Sequence, residues 1–214
     1  MAAEWEYTNA LAKNMAKVAS SGSEGASTLR SAANPREVEW VLRVAQGDRQ
    51  AFELLYRDYF PRLARFLAKM TRRPDLVEEI LNDTMMVVSQ KAHMFDRSAK
   101  VSTWIFAIAY RKGLHALREM HEPMDRKHQD LAGDSCAEPG DELMQLQLRK
   151  VLSEAVNALS VDHRAVVELT YFQGVGYREI AQIMDCPIDT VKTRMFHARR
   201  RLKALLPDRL EDVL

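Results

Sequence analysis

The chain has 214 residues, 47% hydrophobic and 29% charged, with 31 Lys and Arg against 30 Asp and Glu for a net charge of +1. That composition suits a globular protein of one or two small domains, and the near-zero charge excludes a chain that holds nucleic acid by bulk positive charge; any basic function must be local. No run of about eighteen apolar residues and no basic-then-apolar leader is found, so no membrane span or secretory signal is expected and the expected location is cytoplasmic. Cys136 and Cys186 lie in unlike surroundings without metal-ligand spacing, and neither disulfide, metal nor cofactor is indicated.

Residues 1–34 are rich in Ala, Ser and Gly and read as a mobile extension. From Arg36 the helical period sharpens, with Val38, Val41, Leu42 and Ala45 on one face and Gly47-Asp48 as the stop. A helix over Ala51 to Met70 follows on Phe52, Leu55, Tyr56, Tyr59, Leu63, Phe66 and Leu67. The next runs from about Asp75 to His93, and another from Ser102, its expected cap, to about Met120. Residues 35–120 thus form a first helical domain. Residues 121–142, polar and holding Pro123 and Pro139, read as a flexible linker, and His121, Asp125, His128 and Asp130 on it have no spacing that would organise a metal. Residues 143–214 form a second domain: a helix over Leu143 to Leu159, one capped by Ser160 that runs to about Phe172, and a final pair after 173-QGVG-176. The predicted fold is all-α, two small helical domains joined by a flexible linker.

The final pair, 177-YREIAQIMDCPIDTVKTRMFHARRRLKAL-205, carries the clearest signal. Pro187 cannot extend the helix before it, so the chain must break near Cys186, and the small Ala181 suits a close helix crossing. Asp189 stands where a cap is expected. Beyond it Val191, Met195, Ala198, Leu202 and Leu205 form one apolar stripe. The opposite face holds Lys192, Thr193, Phe196, His197 and Arg200. Cations for phosphates, side chains that hydrogen-bond and an aromatic ring off the stripe suit a helix lying in a DNA major groove, so the pair reads as a helix-turn-helix. The competing reading is a helical hairpin with a solvated basic face.

On the helix from Ser102, Trp104, Ile108, Arg111 and His115 fall on one side near Lys112. Stacking groups beside cations bind single-stranded nucleic acid, although Trp104 taken alone reads first as a core anchor. Glu78, Glu79 and Asp83 make 75-DLVEEILND-83 acidic, which composition alone reads as a solvated face or a partner surface.

Phe95 with 103-TWI-105, then 176-GYREIAQIMDCP-187 and 190-TVKTRMFHARRRL-202, resemble in that order the extracytoplasmic-function class of bacterial sigma factors, over about residues 36 to 206. The resemblance implies a non-catalytic transcription initiation factor whose partners are core RNA polymerase, promoter DNA and an anti-sigma factor. It assigns Lys192, Thr193, Arg194, Phe196, His197 and Arg200 to the −35 element. Ser98 and Lys100 of the loop 96-DRSAKVS-102, with Trp104, Arg111, Lys112 and His115, fall to the −10 element. Glu78, Glu79 and Asp83, flanked by Leu81 and Met85, fall to polymerase. Three positions depart from the family pattern: Val101, where many relatives carry an aromatic residue; Arg111, where many carry asparagine; and His197, where many carry arginine. The alternatives are a stand-alone helix-turn-helix regulator binding its operator as a dimer, and an enzyme using Glu78, Glu79, Asp83 and His93 with a DNA-binding tail.

Overall fold

A computed structural model describes residues 34–120 and 151–205, and every element among them is helical. The extension expected up to residue 34, all but its last residue, and the linker expected over 121–142 lie outside the described residues, as does the start of the helix expected from Leu143.

The first helix, α1 (Pro35–Ala45), starts where Asn34 accepts the Arg36 amide at 3.1 Å with Pro35 preset for the first turn. Its buried side is Val41 and Val44, and Ala45 faces solvent, one helical step off the expected stripe. Gly47 takes a left-handed turn (φ 85°), and Asp48 then caps α2 (Arg49–Thr71), accepting Gln50 and Ala51 amides at 2.9 and 3.2 Å. Arg43 also donates to Asp48 at 2.9 Å, and with those amides holds its carboxyl below the usual range. Helix α2 passes through Pro61 unbroken. The proline is exposed, so the Arg57 carbonyl that loses its amide partner is left to water. Leu55, Tyr59, Leu63, Phe66, Leu67 and Met70 form its buried face.

Helix α3 (Pro74–Lys91) follows a left-handed Arg72 (φ 58°) and buries Ile80, Leu81, Thr84, Met85 and Val88. A short 3-10 turn, Ala92–Met94, leads through the loop to α4 (Val101–Glu119). That helix begins one residue earlier than expected: Lys100 is the cap residue and makes no capping bond with its side chain, and Ser102 lies inside the first turn. Val101 is core. Phe106 packs edge-on against Phe66 with centroids 5.3 Å apart, and Gly113 gives α4 its close approach to α2. A Cβ there would overlap the Met70 terminal methyl.

In the second half, residues 151–157 are helical (α5), and Ser160 caps α6 (Val161–Val167) by accepting the His163 amide at 3.4 Å. The chain continues from α6 into a π-helical turn, Glu168–Phe172. Helix α7 (Tyr177–Met184) ends at Asp185 in the left-handed region (φ 51°), and α8 (Ile188–Leu205) follows across Pro187. Asp189 is the second residue of α8 and pairs with Lys192 at 2.9 Å instead of capping; the first turn closes on the Pro187 carbonyl. α1 to α4 pack as one bundle, and α6, α7 and α8 as another. The two bundles are in contact, α4 lying against α7 and α2 against α6.

Candidate nucleic-acid interface

Four of the five stripe residues of α8, Val191, Met195, Ala198 and Leu202, are buried in the second bundle, and Leu205 at the end of the helix is half-buried. Because successive helical residues are 100° apart, that burial turns Lys192, Thr193, Phe196, His197 and Arg200 outward together. Phe196 is 62% exposed and meets the His197 ring edge-on at 5.5 Å. A large aromatic ring with its face in water contributes little to folding and has its area available for a partner. Thr193 Oγ1 donates to the Asp189 carbonyl at 2.9 Å, which fixes its rotamer.

Arg194 departs from the sequence assignment. Its guanidinium turns inward to the Asp162 carboxylate at 2.5 Å and approaches the Cys186 sulfur at 3.7 Å, so its charge is engaged within the second bundle. Two neighbours missed by sequence reasoning flank the exposed face. Arg199 donates to the Tyr171 hydroxyl at 3.0 Å, and His163 of α6 lies 6.3 Å from the His197 ring. Burial first, then His197, pushes His163 below the ordinary imidazole value. The two rings share a shallow cleft of about 300 Å³ with Asp189, Thr190, Thr193 and Arg194. Only their meeting in space reveals His163, which sits on a different helix.

Around α4 the six expected −10 residues divide. Ser98 is exposed on a loop where its amide donates to Asp96 at 2.9 Å, and the Ser98 hydroxyl first, then that amide, keep the Asp96 carboxyl below its usual range. Arg111 and His115 are exposed further along α4, and His115 is 3.1 Å from Glu119. Trp104 is half-buried and packs against Phe95 with the ring planes tilted by 41° and centroids 5.3 Å apart. Lys100 and Lys112 are already paired, with Glu179 of α7 at 2.5 Å and with Asp83 of α3 at 2.9 Å.

On α3, Glu78, Glu79 and Asp83 are exposed, but Leu81 and Met85 are not available to any partner. Both are 0% exposed and belong to the core, because they follow Ile80 and precede Val88 on the buried stripe. Their places beside the acidic residues are taken by Asn82, which accepts the Tyr56 hydroxyl at 3.1 Å, and by Met86, 60% exposed. Among the described residues no three His, Cys, Asp or Glu side chains are grouped to hold a metal, so Glu78, Glu79, Asp83 and His93 form no such set.

Comparison with known proteins matches the family model "Sigma-70 region 2" over residues 55–121 and "Sigma-70, region 4" over 149–202. The ECF RNA polymerase sigma factor RpoE of Cereibacter sphaeroides is 34% identical over 161 residues, covering 73% of this chain and 86% of that protein. The chain belongs to the ECF class of RNA polymerase sigma factors. Bacillus subtilis SigM, of the same class, is 30% identical over 71% of this chain and 92% of its own length. A solved Bartonella quintana sigma factor, RpoE in complex with the anti-sigma factor NepR, shares the fold at TM-score 0.57, with 24% identity over 72% of this chain and 95% of that one. Membership makes this sigma factor a transcription initiation factor. Its region 2 lies in the α1–α4 bundle and its region 4 in the bundle that ends in the helix-turn-helix. No helix among the described residues is long and apolar enough to cross a membrane.

Proposed function

We propose that this sigma factor reads the −35 element as duplex DNA through Lys192, Thr193, Phe196, His197 and Arg200 of α8. The observation that carries the assignment is the burial of Val191, Met195, Ala198 and Leu202 on the opposite side, which leaves Phe196 exposed with only the His197 ring against it. Lys192 and Arg200 meet phosphates and set register; Phe196 meets thymine methyls, and Thr193 and His197 bond base edges. Arg194 acts one step back, as the ion pair that joins α8 to α6.

The same proposal gives the −10 strand to the loop 96–100 and α4, with Ser98, Arg111 and His115 exposed for it, Lys100 and Lys112 after exchanging their present carboxylates for phosphates, and Trp104 as the floor on which an unstacked base rests. Core polymerase is held by Glu78, Glu79 and Asp83, an acidic face suited to a basic partner, with the exposed Met86 at its C-terminal edge. The domain division follows, with residues 35–120 serving polymerase and −10 contacts and 143–214 serving the −35 contacts. The Bartonella relative was solved with an anti-sigma factor, and control by a protein of that kind is part of the reading.

Run-off transcription on promoters with randomised −35 positions, with and without core polymerase, is the test. Promoter-specific transcripts that require both proteins, and lose base preference in Phe196→Ala, are expected. Tight binding of an operator by a homodimer without polymerase would move the protein to the class of stand-alone regulators.

A further inference from the structure

His163 stands in the first turn of α6, and its ring lies 6.3 Å from that of His197 on α8 with the two planes 38° apart. It is half-buried, and His197 is exposed. The buried side of α6 runs from Arg164 to Val167, so the core of the second bundle does not include this ring. Among the described residues neither ring nitrogen of His163 has a hydrogen-bond partner; its main-chain amide is the group that meets Ser160. The two imidazoles share their cleft with Asp189, Thr190, Thr193 and Arg194, and Thr193 and His197 carry that cleft onto the face assigned to the −35 element.

The carboxylates near the pair are already engaged. Asp162 accepts the Tyr110 hydroxyl of α4 at 2.7 Å through one oxygen and meets Arg194 through the other at 2.5 Å, and Asp189 is held by Lys192 at 2.9 Å. On another side of α6, Lys69 and Arg65 of α2 bear on Glu168 of the π-helical turn. Cys186, before α8, lies against Arg194. His163 therefore feels His197 and Arg194, which oppose its charge, and Asp162, which favours it. Burial outweighs all three, so in the free protein the ring sheds its proton below the ordinary imidazole value. An anion brought within about 4–6 Å reverses that balance.

A helix is about 10–12 Å across with its side chains and fills a major groove about 12 Å wide, so the phosphate walls pass along its flanks. His163 belongs to a neighbouring helix and lies beside a ring aimed at the groove floor, which sets it against a wall. We propose that His163 is a DNA contact in its own right: it takes the backbone phosphate beside the base edge that His197 reads, and gains a proton as it does so. This rests on the reading of α8 as the −35 helix. The contact is blind to base identity and fixes the register of His197. Its pH dependence has a definite sign. The ring binds its proton more tightly in the complex than in the free factor, so DNA affinity rises as pH falls through the value in the complex and levels off below the value in the free protein.

The experiment titrates holoenzyme, assembled from core polymerase and the full-length factor, with promoter duplex between pH 6 and 8 by fluorescence anisotropy. Wild type is compared with His163→Gln, His163→Arg and Lys192→Ala. Glutamine hydrogen-bonds without titrating, so His163→Gln is expected to match wild type at pH 8 and to bind about tenfold more weakly at pH 6, one unit of raised proton affinity being tenfold. At pH 6 its slope of log affinity against log salt is shallower by about one. His163→Arg, with a fixed charge, holds at pH 8 the affinity that wild type has at pH 6. Replacing the −35 phosphates one at a time by uncharged methylphosphonates finds one position where wild type and His163→Gln become equal at pH 6. Parallel pH profiles for these two proteins overturn the proposal, as does a gap that no phosphate replacement closes. A loss of affinity equal at both pH values marks a structural role and overturns it too. Lys192→Ala separates this contact from the reading beneath it: if it weakens binding and His163→Gln does not, His163 alone is wrongly assigned, and if neither alters binding, α8 is not the −35 reader and both fall.

Discussion

Replacing Glu168 by glutamine isolates the one carboxyl, among the described residues, that the structure keeps from ionising at ordinary acidity. Glu168 sits in the π-helical turn, 3% exposed, with Oε1 lacking a hydrogen-bond partner. Burial lifts it from an ordinary 4.5 to about 7, against the weaker opposing pull of Lys69 and Arg65 on α2. The folded protein thus keeps this proton where the unfolded chain has released it. Stability contributed by the neutral form is complete below about 4.5 and is lost as pH rises to about 7, above which both states are ionised and the profile is flat. At 1.36 kcal/mol per unit, the difference between 4.5 and about 7 sets an upper bound of about 3 kcal/mol. Glutamine has the shape of the neutral acid without the proton to lose. Glu168→Gln is expected to match wild type near pH 4.5 and to exceed it by up to about 3 kcal/mol at pH 8, or roughly 6–12 °C in Tm for a chain of this size. Urea unfolding followed by ellipticity between pH 4.5 and 8.5 measures it. Parallel pH profiles for the two proteins would refute the reasoning, since they would show that Glu168 ionises alike in both states.

Other outcomes follow from burial and pairing. Phe196→Ala leaves Tm within about 2 °C of wild type while costing about 1–3 kcal/mol of discrimination at individual −35 positions, measured on a randomised duplex library. A large drop in Tm with preference intact would instead make the ring part of the core. Leu81→Ala and Met85→Ala each lose about 2–5 kcal/mol of stability in denaturant titration, whereas Glu79→Lys melts like wild type and weakens only holoenzyme assembly. Lys192→Ala weakens binding at all −35 sequences alike and lowers the slope of log affinity against log salt by about one, a change read by fluorescence anisotropy.

How legible a residue was depended on whether its surroundings are local. The α8 stripe could be read without coordinates because one uninterrupted period of apolar residues decides both its buried and its exposed face. Leu81 and Met85 failed for the opposite reason: they are neighbours of Glu79 and Asp83 along the chain, but a helix rotates adjacent residues by 100°, and the stripe Ile80, Leu81, Thr84, Met85, Val88 already pointed them inward. That signal was present. For Arg194 there was none, since its carboxylate lies on another helix and a basic helix offers no hint of which cation is spent internally. Ser102 has the right chemistry for a cap, yet the pull of Val101 into the core starts the helix a residue sooner. Glu168 was detectable as the single charge in the apolar run 165-AVVELTYF-172, although its unusual proton affinity depends on α2 closing over it.

Met70 is gripped from two directions at once. Its methyl end rests where Gly113 leaves room on α4, and its main-chain oxygen is held by Arg164 from the other domain. The width of that gap on α4 therefore helps to set where the end of α2 presents its carbonyl. A bulkier side chain at 113 would act like a shim under a hinge plate: it would displace the Met70 side chain within the first bundle and, with it, the carbonyl that Arg164 holds.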